Sequence, residues 1–414
     1  SLQDVEKIVC LAETFKSTLN STQLASLQLD YTLVNAKIWS NLPASLSARI
    51  GLKMGTLSAV QLDAAIQLIK AATGTQGKEG FSEINQLWRA DDYLGANGGG
   101  TTYGAGNFYI GFFGIPSMTS KWELQMTGHH TTISNTYENG TLKGGTPSFR
   151  ASEPFGAFTY NNETHQPLIE EYNALKAMLA GLDANTLATA KLSGTFSDIV
   201  LGPNKDWVFP TVKNGVKCST LNTTQKNSVI DAIKTYVQDV DDVSSKAIMD
   251  KYISEIDETY IAYAGNAALT DQRDYVRIDG PNVWIEYSVQ RGIVLSPNHP
   301  HSIWRDRSFD YGGTGNPTSS TQNNDPNIAI SVYPNPVATD LFIALDAPLL
   351  SDVTATIFDQ TGKEIMKTDL NNTSNGNQNI KINVVNLPKG MFQCIVSYTN
   401  AGKRSKTSRS FIKI

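Results

Sequence analysis

The eighteen residues SPNHPHSIWRDRSFDYGG, Ser296 to Gly313, hold two histidines, two arginines, two aspartates, a tryptophan and a tyrosine, in a chain with five histidines in all. In an extended segment, residues two apart project to the same side, so His299 and His301 would present two imidazoles to one ion. A second pair, His129 and His130, follows Gly128. Read as part of a strand, these neighbours face opposite sides of the sheet, so at most one joins a given site unless Gly128 makes a bulge. Read so, His130 shares a face with Trp122, Leu124 and Met126. Three imidazoles with an open position suit zinc, copper or non-haem iron, whose bound water serves as a nucleophile or gives way to an oxygen-chemistry ligand. His129, His130, His299 and His301 are therefore the candidate metal ligands, with one of the first pair as the third nitrogen. Glu286 would add a carboxylate, and Asp310 would orient an imidazole with Tyr311 behind it; Glu286 and Asp310 are the catalytic candidates. Arg277 and Arg305 would hold an anionic or carbonyl-bearing substrate by forked hydrogen bonds, with Trp284 and Trp304 as further binding candidates.

Two other readings of the same residues stand beside this one. A metal-free polar active site needs the same convergence. A non-catalytic network would pair Arg305 with Asp310 or Asp306 and leave the imidazoles on backbone carbonyls. The HxH pattern is a weak motif by itself, and neither HExxH nor GxSxG occurs. His165, ahead of a helix in NNETHQPLIEE, is expected to be structural or exposed.

The elements that must position these residues follow from periodicity. Val5, Ile8, Val9, Ala12, Phe15 and Leu19 repeat at helical spacing, and Ser58 with Gln61 forms a capping box ahead of Leu62, Ala65, Ile66 and Ile69. SEINQLWRADDYLG is a third helix ending at Gly95. The glycines of GANGGGTTYGAGN make a surface loop and no phosphate cradle, since no Gly-Lys-Ser/Thr follows. From Asn107 the period is two: NFYIGFFG is a buried strand, and the long strands that follow are joined at Glu138-Asn139-Gly140. A helix over about Gln166 to Leu182 and a helical pair over Thr224 to Ala264 come next, with Asp239, Asp241 and Asp242 read as a solvated face. RDYVRIDGPNVWIEYSVQ is a hairpin turning at Asp279 to Asn282. Its apolar face is Val276, Ile278, Val283, Ile285 and Tyr287. Tyr275, Arg277, Trp284, Glu286 and Ser288 lie opposite, on a face that such large aromatics mark as covered.

The 414 residues exceed one ordinary core, and 40% hydrophobic with 18% charged residues is the balance of a soluble globular protein. No apolar run reaches the roughly 18 residues needed to span a bilayer. A net charge of −5 without a Lys/Arg block argues against a nucleic-acid partner. Three cysteines, Cys10, Cys218 and Cys394, with no CxxC pair, exclude a thiolate zinc site and argue against a disulfide framework. The opening SLQDVEKIVC fits either a trimmed chain or one whose leader has been removed.

All five histidines and all six tryptophans precede residue 312. Residues 328–414 carry nine Lys and Arg against six Asp and Glu, unlike the acidic remainder. Between the two lies GTGNPTSSTQNNDPN, Gly313 to Asn327, with linker composition. The expected organisation is an α+β module over residues 1–312, with a helical N-terminal part and a mixed or antiparallel sheet. A linker over 313–327 and a small all-β sandwich over 328–414 follow, the last from the alternating runs LFIAL, VTATIFD, NIKINVV, MFQCIVSYT and SRSFIKI.

Two resemblances attach to these segments. ISVYPNPVATDLFI, ATIFDQTGKEI, LPKGMFQCIVSY and SRSFIKI together resemble the C-terminal sorting domain of type IX secretion cargo in Bacteroidetes, with Phe392 and Cys394 as a departure in one strand. The resemblance implies export through the periplasm and outer membrane, a secreted or cell-surface location, the type IX outer-membrane machinery as partner, and removal of the tail near Ile328. GIPSMTSKWELQMTGHHTTIS, TPSFRASEP, YVRIDGPNVWIEYS and NHPHSIWRDRSFDYG resemble the domain-of-unknown-function 3500 family. That resemblance implies that the four segments share one fold and confers no activity. Two function classes stay open: a secreted metal-dependent hydrolase or oxidoreductase, and a cell-surface protein that binds a small anionic ligand or glycan through Arg277, Arg305, Trp122, Trp284 and Trp304.

Overall fold

The structure is a computed structural model that describes residues 4–315, 329–346, 351–359, 363–369, 378–400 and 403–414. The chain divides into two compact units, residues 1–316 and 317–414. Most of the proposed linker, residues 316–327, lies outside the described residues.

In the first unit the longer helices are α1 (Asp4–Ser17), α2 (Ala59–Ala71), α3 (Phe81–Leu94), α4 (Ile169–Ala180), α5 (Thr223–Val237) and α6 (Asp242–Ser254). Ser58 caps α2 in the expected box, its side chain accepting from Gln61 N while Gln61 reaches back to Ser58 N. The helical reading of Thr224 to Ala264 is corrected at its end: α6 stops at Ser254, and Tyr260–Ala264 is a strand. Ile261 and Tyr263 alternate into the core, and five residues pair with a neighbouring strand, which outweighs the helical spacing of Ile248, Tyr252, Ile256, Tyr260 and Tyr263. The solvated-face reading of the acidic run is corrected too. Asp239 and Asp241 are buried, the first on Arg150 and the second as N-cap of α6, accepting from Ser244 N.

One twelve-stranded sheet organises this unit. Its principal strands are β1 (Tyr109–Phe113), β2 (Trp122–Gly128), β3 (Thr131–Glu138), β4 (Thr141–Gly144), β5 (Ser148–Ala151), β6 (Tyr260–Ala264), β7 (Tyr275–Asp279), β8 (Val283–Gln290) and β9 (His299–Asp306). They lie in the order β1-β2-β3-β5-β9-β8-β7-β6, all antiparallel, with β4 paired to β3. Asn139 and Gly140 both take positive φ in the β3–β4 turn, the conformation of a two-residue hairpin loop.

β5 is the seam between the two halves. It pairs with β3 through Thr131↔Arg150 and with β9 through His301↔Ala151, and so sets the end of the first half beside the start of β9. Helices cover one face. Trp122, Leu124 and Met126 pack there with α1, α2 and α3, while Val276, Ile278, Ile285, Tyr287 and Trp304 pack with α5 and its neighbours. The other face is covered by irregular chain, as its aromatics foretold. Gln125 donates to Ala36 O, and Phe196 stacks on Tyr275 at 4.0 Å.

The second unit is all β. Sheets of three strands (Ala329–Tyr333, Asp340–Asp346, Gln378–Asn383) and four strands (Ser351–Phe358, Glu364–Asp369, Gly390–Asn400, Lys403–Lys413) enclose a core that includes Leu341, Ile343, Ile357, Val396 and Phe411. Phe392 and Cys394 both enter that core. Among the described residues no helix is long and apolar enough to cross a membrane.

Candidate metal centre

His129 and His130 are not on a strand. Gly128 pairs with Thr131, so the two histidines form the two-residue loop of the β2–β3 hairpin, with His130 at φ 63°. Strand alternation therefore does not apply, and the expectation that they face opposite sides of the sheet is corrected: their rings stack with centroids 3.6 Å apart. The turn is fixed by backbone bonds from His130 N to Asn41 O and from Ala151 N to His130 O. Arg49 braces it from below, donating to Gly128 O, Ser40 O and Thr127 Oγ1.

At the adjacent end of β9, His299 and His301 project to one side, as their spacing required. His130, His299 and His301 converge, with ring centroids 5.1 to 5.3 Å apart. One nitrogen from each lies within 4.8 Å of the others. All three are buried. Burial, aided by the neighbouring imidazoles, holds His130 well below its ordinary pKa and brings His299 down to about 3, so these rings are neutral near pH 7 with lone pairs free for an ion. His299 Nδ1 is buried without a hydrogen-bond partner, an unusual state for a polar atom and one that a bound cation would relieve. His301 Nδ1 meets both oxygens of Asp198, at 3.0 and 3.1 Å, which leaves its Nε2 for the centre. A carboxylate behind an imidazole fixes tautomer and ring orientation in metal sites. His129 is not within the converging triad. Its Nδ1 meets Asp91 Oδ1 of α3 at 2.5 Å, and Tyr103 of the glycine-rich loop packs edge-on at 4.8 Å. Three histidines able to coordinate one metal ion are thus present.

The remaining candidates make other contacts, although Arg277, Trp284, Glu286 and Arg305 share the sheet face of His299 and His301. Glu286 accepts from Val200 N, Leu201 N, Tyr275 Oη and Trp284 Nε1, and burial still raises its pKa. Arg305 is fully buried, donating to Leu201 O, Gly202 O, Asp206 and Asp310. Burial alone would lower its pKa, but the facing Asp310, Tyr311 and Asp206 reverse the direction. Glu286 and Arg305 therefore clamp the segment 200–206 just beyond Asp198. Asp310 bonds Arg305 and Asp306 N, so the carboxylate behind an imidazole is Asp198 and not Asp310. Arg277 lies over the Trp284 ring at 5.4 Å, and its Nε has no hydrogen-bond partner. Trp284 is fully buried, with Arg307 also over its ring. Trp304 is on the helix-covered face, donating to Tyr252 Oη, because its parity on β9 is opposite to that of His299 and His301. His165 is buried in a small hairpin against Phe158.

Sequence reading missed Asp198, Asp91 and Tyr103. Asp91 is the first of two adjacent aspartates on α3, and Asp198 lies 103 positions from its partner in irregular chain. Neither carries a local signal. It also missed a second cluster, Glu79, Glu83 and Glu171, whose oxygens approach one another within 4.8 Å.

Residues 1–313, nearly the whole of the unit that holds the histidines, match the family model described as Protein of unknown function (DUF3500). The chain belongs to the DUF3500 family. Residues 331–413 of this DUF3500 chain match the Secretion system C-terminal sorting domain, which marks it for export by the type IX machinery of Bacteroidetes to the cell surface or beyond. A comparison with curated proteins finds no match.

Proposed function

We propose that the DUF3500 module is a secreted metal-dependent enzyme, with His130, His299 and His301 as its ligands. The observation that carries this reading is the convergence of three buried imidazoles on one point, one of them with an orphaned nitrogen. An all-nitrogen donor set suits zinc, copper or iron, and such an ion with an open position makes a water acidic or takes up an oxygen ligand. Asp198 orients His301 and supports its basicity. The His129–Asp91 pair, stacked against His130, offers a proton-handling group beside the ligands. Glu286 and Arg305 act at one remove, by fixing the chain that carries Asp198. Hydrolysis is the reading we favour, since the imidazole–carboxylate pair supplies the acid and base that hydrolysis needs.

A separate observation favours ligand binding as a second reading. A cavity of about 550 Å³ lies on the helix-covered side, lined by Val5, Leu142, Ile248, Tyr252, Trp304 and Phe309 among others. Its size falls in the range of small-molecule sites.

Cobalt(II) substitution tests the first reading. Cobalt-loaded protein should show visible absorption bands that shift on adding azide, as an open coordination position requires, and H299A and H301A should lack them. A colourless, azide-insensitive protein would contradict it.

A further inference from the structure

Arg150 of β5 stands opposite Ser302, whose hydroxyl meets Tyr236 of α5, so Arg150 points to the helix-covered face, away from the histidines. Four acidic groups gather around it. Glu83, in the first turn of α3, accepts from Arg150 Nε at 3.1 Å, and Asp239, just after α5, lies 3.1 Å from Arg150 Nη2. Glu171 comes from the first turn of α4 and Glu79 from the turn before α3. One oxygen each of Glu79, Glu83 and Glu171 lies within 4.8 Å of the other two. All four acids are buried, with a single guanidinium among them.

One observation separates this cluster from a set of ion pairs. Glu171 is only 1% exposed, and neither of its carboxylate oxygens has a hydrogen-bond donor. A buried carboxylate in that state must either take up a proton or face a cation. Oxygens 4.8 Å apart or less span no more than twice a calcium–oxygen distance of about 2.4 Å. The donors are all oxygen, which disfavours the softer metals suited to the histidines.

We propose that Glu79, Glu83 and Glu171 form a second, hard-cation site that takes calcium, independent of the histidine centre. Calcium tolerates an irregular shell of carboxylates completed by carbonyls or water, whereas magnesium demands a near-ideal octahedron. With no cation present, burial and mutual repulsion push Glu79 up to about 10 and Glu83 up to about 7, so proton sharing is the competing state. The ion would tie α3, α4 and the turn at Glu79 together. Because α3 also carries Asp91, it would steady the partner of His129.

The test uses the full chain, stripped with EDTA and titrated with calcium under calorimetry. We expect one calcium per chain and a melting temperature raised by a few degrees once free calcium is about 100-fold above Kd. The rise should persist in H299A and vanish in E171Q. Four results would each overturn the proposal: no binding with an unmoved melting temperature, a response to magnesium but not calcium, loss of the response in H299A, or its persistence in E171Q. The wild-type titration decides the matter if E171Q does not fold.

Discussion

His299 shows how burial and like neighbours act on one ring: both disfavour its charged form, so its lone pairs remain available. The same surroundings give Asp198 its role, because the carboxylate locks the tautomer of His301. Asp198→Asn should weaken metal affinity by roughly 10- to 100-fold without altering the fold, as changes behind a metal-bound histidine commonly do. Competition with a chromophoric chelator measures this, and an unchanged affinity would remove Asp198 from the account. Glu123 offers a second test at this scale. It is buried, accepting only from Gln125 and Thr136, and burial raises its pKa from its ordinary 4.5 up to about 8. Between these values the folded state holds a proton that the unfolded chain has lost. The stability that this proton contributes is complete below about pH 4.5 and lost as pH rises through about 8. The slope is about 1.4 kcal/mol per pH unit. Glu123→Gln should remove this component, so its stability relative to wild type rises from pH 5 to pH 8 in urea denaturation. Parallel pH profiles would contradict the assignment.

At the scale of elements, the centre exists because a two-residue hairpin loop meets the first residues of β9 across the seam strand β5. Gly128 makes the loop possible. A Cβ there would lie 2.5 Å from the Phe108 ring, which itself packs on Trp88. Gly128→Ala should cost about 1–3 kcal/mol and lower metal affinity together, by moving the loop. Denaturation and metal titration on one sample check both, and an intact affinity in a destabilised protein would show that the loop does not set the centre. The pairing of His299 with His301 was legible, since period two needs only a strand. The loop was not, because Gly128-His129-His130-Thr131 lacks the Asn-Gly or Asp-Gly signature that marks Asn139-Gly140. The covered face of the β7–β8 hairpin was legible from Trp284 and Tyr275. What covers it was not, since 195–209 is irregular chain held by Glu286 and Arg305 through backbone atoms, and such contacts leave no periodicity. Tyr260–Ala264 misled because tyrosines at helical spacing continued the stripe of α6, and pairing with β7 decided otherwise.

At the scale of the whole molecule, the histidine cluster and the sorting match lie in separate units. The histidines lie in residues 1–316, and the sorting match lies in 331–413. Removing residues 328–414 should leave the first unit folded and metal-competent but retained inside a type IX host. Fractionation with calorimetry of the truncated protein checks both halves, and normal surface display of the truncated chain would refute the division. Metal is then the point on which the functional account turns. The most direct measurement is elemental analysis of wild-type protein purified without chelators, beside H130A, H299A and H301A. The account predicts about one zinc, copper or iron per wild-type chain, and far less in each folded variant. A wild-type protein that stays metal-free after incubation with each of these ions, or variants that hold as much metal as wild type, would contradict it.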